Sequence, residues 1–295
     1  MCGIVGVFLK DSALEPDLGA MLTAMLVTMT DRGPDSAGIA IYGREGSGPY
    51  RITVQSPDPA QDFPALAARL PDAALVGTAS HAVLTLDPDR ADDTLAVIRA
   101  EFPTVRVMSH GARITIFKET GLPRAVADTF GIAGMAGTHG IGHTRMATES
   151  AVTTLGAHPF STGRDQCLVH NGSLSNHNDW RRRLRHYGMT FETDNDSEVA
   201  AAYLTHRMQG GDNLGAALEA SLRDLDGFYT FVVGTENGFG VLRDPIACKP
   251  AVMAETDRYV AFGSEYRALV DLPGIDAARV WEPEPAKVYF WERAA

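Results

Sequence analysis

Cys2 stands directly after Met1 in the segment Met1-Cys2-Gly3-Ile4-Val5-Gly6. A small side chain at position 2 permits removal of Met1, and Cys2 would then carry a thiol and a free α-amine on one residue. Such a residue holds a nucleophile and a base together. The reference pKa values are about 8.5 for a thiol and about 7.7–8.0 for an α-amine, so both titrate near neutrality and can exchange a proton. A cysteine at position 2 says little by itself, since any residue can stand there. Its companions matter more: Arg32-Gly33-Pro34-Asp35, Gly142-His143-Thr144-Arg145-Met146-Ala147-Thr148, Val169-His170-Asn171-Gly172, Asp194-Asn195-Asp196-Ser197-Glu198 and Gly263-Ser264-Glu265.

This ordered set resembles the class II glutamine amidotransferases, whose glutaminase domains start with the pattern Met-Cys-Gly-Ile. The resemblance spans residue 2 to about residue 265. It implies that Cys2 attacks the side-chain amide of glutamine, with its own amine as base. Asn171 and Gly172 match the oxyanion-hole pair, for which loss of one donor typically costs about 10²–10³ in rate. Arg145 matches the arginine that takes the substrate α-carboxylate, a task suited to a planar fork of donors. Asp196 matches the aspartate that receives the α-ammonium, Thr148 is a further contact, and Arg32 resembles the arginine that orders the site around the nucleophile. Met146 stands where an aromatic residue is often found, and Glu149 replaces a frequent histidine. Both departures bear on how the glutamine pocket is walled.

Other residues have plainer readings. Arg145 and Asp196 could be paired surface charges, and Arg32 could tie the first helix to a sheet. His139, His143, His158, His170 and His177 form a histidine-rich stretch, but no H-E-x-x-H spacing accompanies them. They are expected to be hydrogen-bonded core or shell histidines, with no metal. Cys167 and Cys248 are expected to be buried small hydrophobes. The stripe Met21, Met25 and Met29 is expected in the core.

The elements that must position these residues follow from periodicity. Residues 2–9 and 37–42 read as strands, and residues 16–30 carry apolar side chains at helical spacing. Residues 44–62 are rich in Gly, Pro, Ser and Asp and read as a loop. Between residues 74 and 131 a β-α-β-β-α order predicts a small inserted α+β subdomain. Further strands and helices follow in batches, which suits antiparallel sheets covered by helices better than a doubly wound sheet. The resemblance sharpens this to an α+β fold, the αββα sandwich of N-terminal nucleophile (Ntn) hydrolases. One amidotransferase domain would span residues 2–295, with residues 74–131 inserted.

Composition sets outer limits. Lys+Arg number 26 and Asp+Glu 37, a net charge of −11 that argues against nucleic acid or an anionic membrane as partner. Three cysteines cannot build a disulfide framework. No stretch has the length of a membrane span or the pattern of a signal peptide, so a cytoplasmic protein is expected.

The amidotransferase pattern uses nearly the whole sequence, and 30 residues follow Glu265. Chemistry on the acceptor is therefore expected on another polypeptide. Length and the long insertion resemble the glutaminase subunits of glutamate-synthase-like complexes, most of all that of N-methylglutamate synthase (methylamine–glutamate N-methyltransferase). That resemblance implies a hetero-oligomer in which partner chains carry FMN and iron–sulfur centres while this chain carries no cofactor. A stand-alone amidohydrolase of glutamine or a γ-glutamyl amide, and a non-catalytic scaffold, are the alternatives.

Overall fold

The computed structural model describes residues 2–44, 49–147 and 151–293. Its strands in chain order are β1 (Gly3–Leu9), β2 (Ser36–Tyr42), β3 (Tyr50–Gln55), β4 (Ala74–Thr78), β5 (His81–Leu86), β6 (Arg106–Gly111), β7 (Ile114–Thr120) and β8 (His139–Arg145). Then follow β9 (Phe160–Gly163), β10 (Gln166–Leu174), β11 (Gly227–Gly234), β12 (Gly238–Arg243), β13 (Val252–Glu255), β14 (Tyr259–Gly263), β15 (Arg279–Trp281) and β16 (Val288–Glu292). The helices are α1 (Leu18–Thr28), α2 (Pro59–Arg69), α3 (Ala91–Glu101), α4 (Pro123–Thr129), α5 (His177–His186), α6 (Asp196–Gln209) and α7 (Leu214–Asp224).

Every residue of β1 is buried, as a strand covered on both faces requires. It lies inside an antiparallel seven-stranded sheet of order β15-β13-β14-β1-β8-β2-β7. On one face Val5, Val7 and Leu9 pack against Leu18, Leu22 and Met25 of α1. On the other, Ile4, Phe8 and Phe262 meet Val169, Val232 and Phe239 of a five-stranded sheet ordered β16-β12-β11-β10-β9. The outer face of that second sheet carries α6 and α7, through Val199, Tyr203 and Leu218 against Leu168 and Phe231. Helix, sheet, sheet, helix is the expected αββα sandwich. The methionine stripe of α1 belongs to its core.

A third sheet, β4-β5-β3-β6, stands apart with α2 and α3 around its own core of Ile52, Val54, Leu66, Leu84, Leu95 and Ile98. It draws on strands from Tyr50 to Gly111, so it overlaps the expected span 74–131 only in part. β7 instead pairs with β2, and Val126 and Ala127 of α4 join the core around α1. Part of the expected loop 44–62 is also structured. Tyr50–Gln55 forms a ladder with β5 and β6, and Asp58 caps α2 by accepting from the Gln61 N–H, with Pro59 in the first helical turn. The first strand of the expected β-α-β-β-α order is instead a hairpin of β4 and β5 that turns at Ala79, where φ is +52°.

Candidate active site

Cys2 sits just ahead of β1, and three elements converge on it. Its carbonyl oxygen accepts from Arg32 Nε at 3.0 Å and from Asn171 Nδ2 at 3.3 Å. Its Sγ lies 4.0 Å from the Met146 carbonyl oxygen. Arg32 is buried, and its Nη1 donates to Glu265 Oε1 at 2.6 Å. That contact, more than any other, holds the Glu265 carboxyl below the usual range. The motif Gly263-Ser264-Glu265 thus works twice, because Ser264 also receives the Ile4 N–H on its Oγ and gives its own N–H to the Ile4 carbonyl. Gly3 has no room for a side chain: a Cβ there would lie 2.7 Å from Thr144 Oγ1 and 2.8 Å from Met29 Cβ.

Asn171 and Gly172 stand on β10 where the ladder opens. β9 registers with β10 only at Gln166 and Leu168, so beyond Leu168 that edge has no strand partner among the described residues. Tyr229, opposite Gly172, donates its N–H to the Asp244 carboxylate, and its C=O accepts from the Asp244 N–H. It is therefore a non-hydrogen-bonded pair with Gly172, whose amide turns away from β11 toward the open edge. Gly172 has φ +147°, and a Cβ there would meet the Phe228 carbonyl at 1.9 Å. Only glycine fits. An asparagine amide has two N–H donors, so one bond to the Cys2 carbonyl leaves a second donor.

Arg145 ends β8 and is 6% exposed, with Nη1 3.3 Å from the Ala151 carbonyl. It directly precedes Met146, whose carbonyl faces the Cys2 sulfur. The loop bearing Arg32 is tied to the same segment by Asp35, which accepts from the Ala147 N–H and donates its own N–H to the Arg145 carbonyl. Asp196 opens α6, and its Oδ2 accepts from the N–H of Leu174, two residues beyond Gly172. The structure thus places Cys2, Arg32, Asn171 and Gly172 around one point, with Arg145 and Asp196 on the segments next to it. Thr148 and Glu149 lie outside the described residues. Sequence reasoning assigned no role to Asp35 or Glu265, although each is the acid of a quoted motif that also contains or faces a buried arginine.

The histidines form a shell around β8 and β10. His143 Nε2 donates to the His170 carbonyl at 3.2 Å, and His170 Nδ1 meets Ser197 Oγ at 2.9 Å. His158 differs from expectation. It stacks on His143 with ring centroids 4.1 Å apart, and neither of its ring nitrogens has a partner among the described residues. Burial pushes His143 down to about 3 and His158 well below its ordinary value, so both rings are neutral near pH 7. Among the described residues no group of three or more His, Cys, Asp or Glu side chains is placed to hold a metal ion. Cys167 is buried beside Tyr42, and burial pushes its thiol up to about 12. Cys248, expected inside, is exposed, because it stands in the loop after β12 rather than on a strand.

Comparison with known proteins agrees with this geometry. Residues 143–271 match the family model for a glutamine amidotransferase domain. The chain is 64% identical to the glutamine amidotransferase-like protein GlxB of Rhizobium meliloti (strain 1021), over 99% of its own length and 98% of the relative's. It is 36% identical to the glutamine–fructose-6-phosphate aminotransferase of Xylella fastidiosa, over 45% of this chain and 21% of that protein. Among solved structures it superposes on the glutamine phosphoribosylpyrophosphate amidotransferase of B. subtilis with a TM-score of 0.63 at 20% identity, covering 99% of this chain. It spans about half that enzyme's length, 47%. Among the described residues no helix is long and apolar enough to cross a membrane. A relative matched from end to end, a shared αββα fold and a cysteine held where the two sheets meet point one way: the chain belongs to the class II glutamine amidotransferases.

Proposed function

We propose that this protein is a glutaminase that works through Cys2 and passes nitrogen to a partner synthase. The convergence of Arg32 and Asn171 on the Cys2 carbonyl, beside the free edge at Gly172, carries the reading. With Met1 removed, the α-amine takes the thiol proton and the sulfur attacks the glutamine amide carbon. The Asn171 side chain and the Gly172 N–H then hold the oxygen that becomes negative. The carbon–nitrogen bond breaks, the nitrogen leaves as ammonia with the proton from the α-amine, and a γ-glutamyl thioester remains. Water cleaves the thioester to glutamate and restores the thiol. Arg145 and Asp196 hold the α-carboxylate and α-ammonium of the substrate, with Thr148 as a further contact.

In this reading the chemistry of the acceptor sits on another protein. The partner we propose is an FMN-containing synthase of the glutamate-synthase kind, with N-methylglutamate synthase favoured by length and by the extra unit. Flavin and iron–sulfur centres would sit in partner chains. Intact-mass analysis after treatment with a glutamine-mimicking electrophile should show one adduct on the peptide that starts at Cys2, and labelling at Cys167 or Cys248 would overturn the assignment. Purification from the native host should bring down a flavoprotein and raise glutaminase turnover. Full turnover by the isolated chain, unchanged by any co-purifying protein, would leave the stand-alone amidohydrolase as the better reading.

A further inference from the structure

A cavity of about 230 Å³ lies where the third sheet meets the sandwich, away from Cys2. Its walls come from α3, β6, β7, β9, the segment between α5 and α6, and the first turn of α6. Its lining holds two basic residues, Arg99 and Lys118, and two acidic ones, Glu192 and Glu198. Arg99 and Lys118 line the space, and both, with Arg106, act on the cavity-lining Glu192 carboxyl. Ser161 and Thr190 are also among the lining residues.

The walls run directly into the substrate-binding segments. Glu198 Oε1 and Oε2 accept the N–H groups of Glu192 and Thr193, each at 2.8 Å, which ties the cavity loop to the turn of α6 that bears Asp196. Lys118 Nζ donates to the carbonyls of Leu155, Ala157 and Pro159 at 3.2, 2.8 and 3.2 Å. That segment begins at Ala151, whose carbonyl receives Arg145. These contacts connect the cavity walls to the segments that bear Arg145 and Asp196.

We propose that this cavity is a second small-molecule site, taking a small hydroxy- or amino-carboxylate, and that its occupant changes the affinity of the Cys2 site for its substrate. Arg99 supplies the charge for the carboxylate, while Glu192 and the hydroxyls take the donor group. The volume suits a metabolite of a few carbons and is below the range of about 300–1,000 Å³ usual for larger ligands. Coupling between the two sites must be reciprocal, so substrate at the Cys2 site changes occupancy of the cavity by the same factor. The coupling rests on the glutaminase reading; the binding does not.

The test titrates the full chain with L-malate and, separately, with L-serine by calorimetry. At least one probe should bind, and Arg99→Ala should weaken it about tenfold or more, as loss of a charge-assisted bond predicts. Thr190→Trp, which fills the mouth, should abolish binding, and Arg145→Ala should leave it within about twofold. Arg99 and Thr190 are exposed, and a thermal melt confirms that both variants fold. Saturating probe should shift the KM for glutamine at least threefold in the wild type and not in Arg99→Ala. The proposal is overturned if neither probe binds at millimolar concentration, or if only Arg145→Ala removes binding, because the ligand then sits at Cys2. A protein with no glutaminase activity that still binds the probe through Arg99 would reject the function and keep the site.

Discussion

At the scale of single residues, the Cys2 environment is built from contacts that tolerate little change. Gly172→Ala places a Cβ against the Phe228 carbonyl in a backbone conformation that favours glycine. The strand must shift there, and the N–H that faces the open edge shifts with it. The expected result is a fall in kcat of about 10²–10³, the usual cost of one lost oxyanion donor, together with a lower Tm. A kcat within twofold of the parent would place the donor elsewhere. Glu265 contacts Arg32 rather than the proposed substrate. Glu265→Gln should therefore lower kcat about tenfold and leave KM nearly unchanged, a split that steady-state kinetics separates. Arg145→Lys replaces a bidentate fork by a point charge and should instead raise KM about tenfold or more. The types and spacing of Cys2, Arg145, Asn171, Gly172 and Asp196 were readable in the sequence. The staples Asp35 and Glu265 were not, since an acid in a motif has no visible partner until the chain folds.

At the scale of elements, one carboxylate fastens the third sheet to the sandwich. Asp165, in the turn between β9 and β10, is 2% exposed. It accepts from the backbone N–H groups of Ala112, Arg113 and Ile114 at 2.8, 2.8 and 3.0 Å. Those three residues connect β6 of the third sheet to β7 of the seven-stranded sheet, and no Cβ fits at Gly111 because Asp165 Oδ1 would be 2.1 Å away. Asp165→Ala leaves three buried or half-buried donors without an acceptor, each worth about 1–3 kcal/mol. The expected loss is on the order of 3 kcal/mol, read as a lower urea midpoint. Asp165→Asn, which keeps one carbonyl acceptor, should lose less. The residues of this fastening lie 51–53 positions apart in sequence, so local pattern could not reveal it.

For the whole molecule, buried histidines set the response to acid. Burial pushes His139 and His143 down to about 3 and His81 down to about 4, from an ordinary value of 6.5. Below pH 6.5 the unfolded chain binds a proton at each, and the native chain does not until the pH reaches those lowered values. Stability therefore rises with pH across the window from about 3 to 6.5 and falls as acid is added. Each such group contributes up to about 1.4 kcal/mol per pH unit inside that window. The three together should give a slope approaching about 4 kcal/mol per unit near pH 5. Urea denaturation at pH 5, 6 and 7 measures it. A flat profile over that range would mean that these rings are protonated in the native state.

The sequence by itself determined the α+β class, the antiparallel grouping, the methionine face of α1 and the identities of the candidate site residues. Each of these is local: apolar periodicity marks which face is covered, and short motifs keep chemically matched residues together. Tertiary structure alone decided which strands share a sheet, and so where the third unit ends. β7 and α4 follow β6 closely in sequence but join the main sandwich, because Ile114 and Ile116 of β7 are buried in the core between the two large sheets. It also decided that Cys248 is exposed, that His158 stacks without a hydrogen-bond partner among the described residues, and that Gly172 faces an open strand edge. Those outcomes depend on what lies across a sheet or a turn. A neighbour more than a hundred positions away, as Met146 is from Cys2, leaves no mark on local pattern.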